Sequence, residues 1–222
     1  GAKIRTDQMA HDSALRLLMA TVARTAATHD RCIIPLLSSW DSHHIRVSVK
    51  VHRSIQAANV LEDQLGWRVA MPTIEELQAS CEAGLHPQGN EGEQPFCLLP
   101  FSHPIRRDDR RISGPLWTGP LFDQDVLASM TVERAVALCG DTAEPAVRHW
   151  MDEAELATVP SLIITDMLPK FCEVTGPPKI VDLVTGLKEA GYKAAVARWG
   201  APAIRTDAPW PIVLKTTEAC FD

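Results

Sequence analysis

The residues best suited to chemistry in this chain are cations that surround one aromatic side chain near its C-terminal end. Lysine and arginine can bind phosphates, and an aromatic ring can stack on an unstacked base. These residues therefore indicate a possible nucleic-acid interface. Residues 160–222 nevertheless contain as many acidic as basic side chains, and the alternative is an ordinary mixed surface with the tryptophan in the core. The group consists of Lys188, Lys193, Arg198, Trp199 and Arg205.

Other sequence signs of catalysis or metal binding are missing. The sequence has no GxGxxG loop, no nucleophile elbow and no HExxH pair. The eight histidines form no recognisable ligand set, and the six cysteines are scattered, whereas zinc sites use closely spaced ligand pairs. Taken alone, the residues do not indicate an enzyme. We expect reduced thiols, as in a cytosolic protein, and no bound metal.

The composition indicates a globular protein of one large domain or two small ones. The chain has 222 residues, of which 45% are hydrophobic and 23% are charged. A net charge of −6 argues against non-specific coating of nucleic acid but permits a local basic surface. We find no apolar run long enough to cross a membrane and no signal peptide. The expectation is a soluble, cytoplasmic protein without a membrane partner.

The N-terminal third predicts a helix followed by a β-hairpin. The helix should be capped by Asp12 or Ser13 and end near Thr28. The apolar run from residue 32 to residue 37 is typical of a strand covered on both faces, and residues 45–52 alternate as in a half-exposed strand. A helix and hairpin commonly finish a Rossmann-like methyltransferase sheet, but hairpins end many folds.

The middle of the chain centres on the segment Gly114–Leu121, in which two Gly-Pro pairs flank Trp117. Proline and the residue before it disfavour helix, so we expect an extended crossing anchored by Trp117, or otherwise a Pro-rich loop. Before this segment we expect a short helix over 60–67, a helix with a capping box from Thr73 to Glu76, and a mobile loop over 86–94. The charged stretch 106–111 either contacts phosphate or is a solvated loop.

The C-terminal part predicts helices over 123–138 and 143–157, followed by a small α+β module. In this module a short helix runs from Thr165 to Cys172, and a second begins at Pro177–Pro178 and ends at Gly191. Two strands, 192–199 and 211–216, should then pair around a loop. This order is typical of a winged helix.

Four blocks of the sequence, in the same order, resemble the tRNA guanine(26) dimethyltransferases. Gly114–Leu121 is similar to the family's Gly-Pro-Leu/Val-Trp-x-Gly-Pro-Leu signature. The other blocks resemble the helix and hairpin after the family's fifth strand and its C-terminal "EAGY…IKTDAP" stretch. They are residues 14–26, residues 35–38 with 44–47, and residues 189–194 with 204–209.

The resemblance implies methylation of the exocyclic amine of a tRNA guanine with S-adenosylmethionine. It also implies that the cofactor loop and the catalytic Asp-Pro-(Phe/Pro)-Gly lie in an N-terminal half that this sequence lacks, because it contains no Asp-Pro pair. We therefore expect S-adenosylmethionine to be bound by that half, which would be a partner domain or chain. A further departure is His11-Asp12, where relatives carry His-Glu; the carboxylate of Asp12 would cap the helix.

The resulting expectation is an α+β chain: the terminal helix and β-hairpin of a Rossmann-like methyltransferase domain, followed by a winged-helix-like α+β domain. Its parts are a methyltransferase edge at 1–55, a variable connection at 56–112 and a tRNA-binding domain at 113–222, with the winged-helix-like module at 160–216. The alternatives are a stand-alone RNA-binding or protein-interaction module, or an independent enzyme. The residues expected to bind tRNA are Lys3, Arg5, Arg16, Arg46, Lys193, Arg198, Arg205 and Thr206.

Overall fold

The computed structural model describes residues 2–41, 43–87, 92–106, 108–160, 162–198 and 201–221, without the side chains of Asp41 and Arg198. Within these residues the fold is α+β. The helices are α1 (Ala10–Ala27), α2 (Ile55–Asn59), α3 (Ile74–Glu82), α4 (Gln124–Ala128), α5 (Val132–Cys139), α6 (Glu144–Glu153), α7 (Ile180–Glu189) and α8 (Trp210–Ala219). The strands are β1 (Arg31–Asp41), β2 (His44–Arg53), β3 (Leu65–Ala70), β4 (Phe96–Pro100), β5 (Ile112–Trp117), β6 (Ile163–Ile164), β7 (Ala194–Arg198) and β8 (Pro202–Thr206).

The first helix, α1, begins at Ala10, earlier than predicted. Its N-cap, Met9, makes no side-chain capping bond, so the expected caps at Asp12 and Ser13 are wrong. Instead, the carboxylate of Asp7 accepts the backbone N–H of Met9 at 2.9 Å, just before the helix. The buried side of α1 packs against β5 and against the β1–β2 hairpin. None of the helices in the described residues is long and apolar enough to cross a membrane.

The β1–β2 hairpin has one covered face and one open face. As the alternation predicted, Ile45 and Val47 are half-buried while Arg46 is exposed. The prediction is wrong at the end of the strand, where Val51 is 46% exposed and His52 is half-buried. The expectation that residues 32–37 are covered on both faces is wrong, because Ile33 is buried and Ile34 is 38% exposed. The physical reason is that α1 packs against the hairpin and Ile33, but not Ile34, belongs to the core that they share.

A second antiparallel sheet, in the order β4-β3-β5, lies at the middle of the chain. The first half of the segment Gly114–Leu121 lies in β5, which ends at Trp117, so the extended conformation is confirmed for that half, whereas residues 118–121 lie outside the strand. The predicted helix over 60–67 is wrong in its second half: a 3₁₀ turn covers Leu61–Gln64 and β3 begins at Leu65. The sheet joins residues on both sides of the boundary expected at residue 112. The capping box between Thr73 and Glu76 is confirmed by both of its hydrogen bonds.

The C-terminal part differs from the prediction in three places. The short helix expected from Thr165 to Cys172 is a 3₁₀ helix over Thr165–Lys170. The single helix expected over 123–138 is two helices, α4 and α5. The strand expected at 211–216 is wrong, because these residues lie in α8, with Pro211 in its first turn. The second strand of the pair is β8, which lies between β6 and β7 in a three-stranded antiparallel sheet. Gly191 follows α7 with a φ of +90°, as a helix-ending glycine should.

Candidate nucleic-acid interface

The guanidinium of Arg16, which we expected to face tRNA, is fully buried. Its Nε donates to both carboxylate oxygens of Asp12, at 3.0 and 3.2 Å. Its terminal nitrogens donate to the backbone oxygen of Trp117 at 3.0 Å and to that of Pro160. Burial lowers the pKa of Arg16, and the charge of Asp12 acts against that change. Arg16 therefore connects three segments of the chain, and a phosphate has no access to it here.

Arg205 is also inside the protein, on strand β8 and not in the loop that we expected. It is 1% exposed, and its Nε lies 3.3 Å from the carboxylate of Glu153. Its Nη1 donates to the backbone oxygen of Val159 at 2.6 Å. The second carboxylate oxygen of Glu153 lies 3.1 Å from Nε2 of His149. The expected contact between Arg205 and tRNA is therefore not supported by its position.

Together, Arg16 and Arg205 bind two consecutive carbonyls, those of Pro160 and Val159. We call this pair the arginine clamp. The two guanidinium groups are close enough for the charge of Arg205 to contribute to the lowered pKa of Arg16. Because α1 carries one arginine and β8 the other, the clamp fixes the N-terminal helix to the C-terminal sheet.

Three of the expected residues lie at the turn between α7 and β7 or on the strands beside it. Lys193 is exposed, whereas Thr206 is 3% exposed. The hydroxyl of Thr206 donates to the backbone oxygen of Lys193 at 2.6 Å and accepts the N–H of Ala208 at 3.1 Å. Thr206 thus shapes the backbone and is not available to tRNA. The backbone of Arg198 pairs with that of Pro202, but its side chain and all of Trp199 lie outside the described residues.

The first residues of the chain form an exposed basic surface together with the loop before β5. The backbone of Lys3 pairs with Gly114 through bonds of 3.0 and 2.8 Å. The ammonium of Lys3 donates to the backbone oxygen of Asp109, and Nη1 of Arg5 donates to that of Arg110 at 3.2 Å. The structure thus brings Lys3 and Arg5 to the charged stretch 106–111, of which Arg107 lies outside the described residues. Sequence inspection missed this contact because it spans more than a hundred residues.

The remaining expected residues lie near the N-terminal helix. Arg46 is exposed on β2, opposite Ser39. The indole of Trp117 is 3% exposed, and its N–H donates to the backbone oxygen of Pro120 at 2.8 Å. His11, whose role the sequence left open, lies 4.7 Å from the ring of Trp40, measured between centroids.

The described ranges contain no group of three His, Cys, Asp or Glu side chains placed to hold a metal ion. Of the residues expected to bind tRNA, Lys3, Arg5, Arg46 and Lys193 are exposed cations. They suit a polyanion, since lysine and arginine bind phosphate through charge-assisted hydrogen bonds.

Comparison with known proteins places this arrangement in a family. Residues 1–218 match the N2,N2-dimethylguanosine tRNA methyltransferase family, and the chain belongs to it. A tRNA (guanine(26)-N(2))-dimethyltransferase of Aeropyrum pernix is 30% identical over 211 residues, which are 92% of this chain and 47% of that protein. The corresponding protein of Methanocorpusculum labreanum is 29% identical over 204 residues, 90% of this chain and 49% of its own length.

A solved structure has a fold similar to that of this chain. The structure of Trm1 from Pyrococcus horikoshii in complex with S-adenosyl-L-methionine superposes with a TM-score of 0.69 at 22% identity. The match covers 93% of this chain and 49% of that one. The chain thus spans about half the length of the relatives that it matches.

Proposed function

We propose that this chain is the C-terminal part of an S-adenosylmethionine-dependent tRNA guanine-N2-dimethyltransferase, and that it binds and positions tRNA. The observation that carries the proposal is the family match over residues 1–218 at about half of the relatives' length. The exposed cations supply the chemistry that a tRNA backbone requires. A tRNA substrate also agrees with a cytoplasmic location.

The fold supports a finer assignment of the parts. In the C-terminal module, α6, β6, a 3₁₀ turn over Thr165–Lys170, α7, β7 and β8 follow one another, and the sheet order is β6-β8-β7. This is the order of helices and strands in a winged helix, so we assign a winged-helix-like unit here. The α1 helix and the β1–β2 hairpin suit the last elements of a Rossmann-like methyltransferase domain. On this assignment, strands of the N-terminal half pair with an open edge of the hairpin.

The described residues do not fit S-adenosylmethionine. Rossmann-type cofactor sites place a glycine-rich turn between a strand and the N-terminus of a helix. In the described ranges, the turns that lead directly from a strand into an α-helix are 54, 71–73, 118–123 and 207–209, and they contain a single glycine, Gly119, so none of them is glycine-rich. The cofactor is therefore assigned to the N-terminal half, together with the methyl-transfer chemistry, and we derive no catalytic step from this chain.

The residues that we assign to tRNA are the exposed cations of the original set and one strand residue with an undescribed side chain. They are Lys3, Arg5, Arg46, Lys193 and Arg198. Removal of Arg16, Arg205 and Thr206 from the set follows from their burial.

Methyl transfer to a tRNA transcript with guanine at position 26 tests the proposal. The chain should be assayed alone and together with the N-terminal half of a family member, joined or added as a separate polypeptide. We expect radiolabelled methyl groups on the tRNA only when both halves are present, and tRNA binding by the chain alone. Failure of the combined protein to methylate that guanine, despite bound cofactor and tRNA, would contradict the proposal.

A further inference from the structure

The sequence left two alternatives for the stretch over residues 106–111: a contact with phosphate or a solvated loop. In the structure it lies beside the N-terminal arm, where Lys3 and Arg5 bind the loop backbone, and the two segments present a set of four exposed cations. We call this set the basic ridge; it consists of Lys3, Arg5, Arg106 and Arg110.

The ridge is built on a fixed backbone. Lys3 pairs with Gly114 as a short antiparallel bridge, and the N–H of Arg5 donates to the hydroxyl of Ser113 at 2.9 Å. The loop is held from its other side by Arg111, which binds Glu76 at 2.9 Å and Asp109 at 2.8 Å. The cations of the ridge therefore extend from two segments that cannot move independently.

Most acidic side chains beside the ridge are already occupied by arginines. Asp7 lies 3.1 Å from Arg68, which is buried, and 3.1 Å from Arg5. Asp109 binds Arg111, and the hydrogen bond from the backbone N–H of Arg111 lowers the pKa of Asp109. The negative charge of Asp109 is therefore compensated within the loop by Arg111.

The outer cations have weaker partners. Among the residues that the structure describes, Arg106 forms its ion pair with Asp108 alone, at 2.9 Å and in an exposed position. Such a surface pair is worth little, so a phosphate can replace Asp108 at small cost. Lys3 and Arg5 are both exposed. Arg5 uses Nη1 on a backbone oxygen and Nε on Asp7, and a guanidinium carries five N–H donors, so it can also bind a phosphate.

From this arrangement we propose that the basic ridge binds consecutive phosphates of the tRNA backbone. The inference rests on the proposed function and adds a surface that the family match does not assign. Because the whole chain has a net charge of −6, a local cationic surface also gives the polyanion a preferred direction of approach. The arm continues directly into α1, so tRNA on the ridge would approach the proposed methyltransferase edge.

The test is a salt titration of tRNA affinity for the double variant Arg106→Gln/Arg110→Gln. The control is Lys215→Gln, which removes one exposed charge from α8. Each lost phosphate contact should lower the slope of log affinity against log salt by about one. We therefore expect a slope lower by about two in the double variant, weaker binding at low salt and nearly equal losses for different tRNAs. The control should retain the original slope.

Equal slopes and affinities for the double variant, the control and the unaltered chain would overturn the inference. It would also be overturned if the double variant bound tRNA normally but no longer associated with the N-terminal half, because the ridge would then be a protein interface. In both cases, methylation by the unaltered combined protein separates this failure from failure of the proposed function. Circular dichroism and the melting temperature show whether each variant is folded.

Discussion

Arg205 illustrates, at the scale of one residue, how burial changes the expected effect of a substitution. An exposed arginine at a phosphate would influence affinity and its salt dependence, but Arg205 is 1% exposed and bound to Glu153. Arg205→Ala would leave the carboxylate of Glu153 without this partner in the interior, which costs about 3–5 kcal/mol. We expect this loss in the free energy of unfolding, measured by urea denaturation.

The double variant Glu153→Gln/Arg205→Met is the matched control for this prediction. It removes both charges, so the loss of stability should be smaller than in Arg205→Ala. If Arg205→Ala had unchanged stability but weaker tRNA binding, Arg205 would have to be assigned to the tRNA-binding residues after all.

The indole of Trp117 should act as a structural anchor and not as a base-stacking residue. It belongs to the core that also contains Leu15 of α1 and Ala203 of β8, so it connects early and late parts of the chain. Trp117→Ala should lower the free energy of unfolding by about 3–5 kcal/mol, because a large core side chain is removed. Leu138→Ala, at a side chain that is 75% exposed, should have little effect in the same denaturation experiment. A stable Trp117→Ala variant with weakened tRNA binding would contradict the anchor role.

His86 should make the stability of the fold depend on pH. Burial lowers the pKa of His86, while its hydrogen bond with Gln94, 2.7 Å long, acts in the opposite direction. The unfolded chain binds a proton at an ordinary histidine pKa, about 6.5. Because the folded-state pKa of His86 is lower than the unfolded-state pKa, the contribution of His86 to stability is present above the unfolded-state pKa. This contribution is lost as the pH falls through the folded-state pKa.

This sign can be measured by denaturation between pH 7 and pH 5. The variant His86→Gln should lose less of its free energy of unfolding over this range than the unaltered chain does. His29→Gln changes an exposed histidine and should retain the original pH dependence. An unchanged pH dependence in His86→Gln would show that His86 is as easily protonated in the folded state as in the unfolded state.

At the scale of elements, local patterns predicted local structure. The capping box of α3 depends on residues three apart, and the alternation of β2 depends on neighbouring side chains, so both could be identified from the sequence. The run Ile212-Val213-Leu214 was assigned to a strand because a short apolar run does not distinguish a buried helix from a strand. Pro211 in the first turn was the available sign of a helix start.

The functional residues were harder to predict because their surroundings are non-local. Arg16 binds carbonyls 101 and 144 residues away, and Arg5 binds one 105 residues away. Neither distance leaves a periodic signal in the sequence. As a result, Arg16 and Arg205 of the clamp were assigned to the same tRNA-binding set as Lys3 and Arg5 of the ridge. Only the fold separates the arginines that stabilise the chain from those that remain available to a ligand.

At the scale of the whole molecule, the three sheets differ in whether they contain a strand that is paired on both of its edges. The β4-β3-β5 and β6-β8-β7 sheets each have a central strand, whereas the described part of the chain gives the β1–β2 hairpin no third strand. The hairpin therefore has two edges with unpaired N–H and C=O groups, which is an unusual state for strands of 11 and 10 residues. Helix α1 is in a different position, since it packs on β5 as well as on the hairpin.

This difference predicts an unequal pattern of hydrogen exchange in the isolated chain. The amides of α1 should exchange slowly, because the clamp and the core around Leu15 hold the helix from within. The outward amides of β1 and β2 should exchange much faster, because water reaches them without unfolding of the core. Addition of the N-terminal half should slow exchange in the hairpin and leave α1 nearly unchanged. The measurement needs a dilute monomer, since self-association through the open edges would also slow exchange. If the hairpin amides exchange equally slowly with and without the N-terminal half in such a sample, the hairpin is not the edge of a larger sheet.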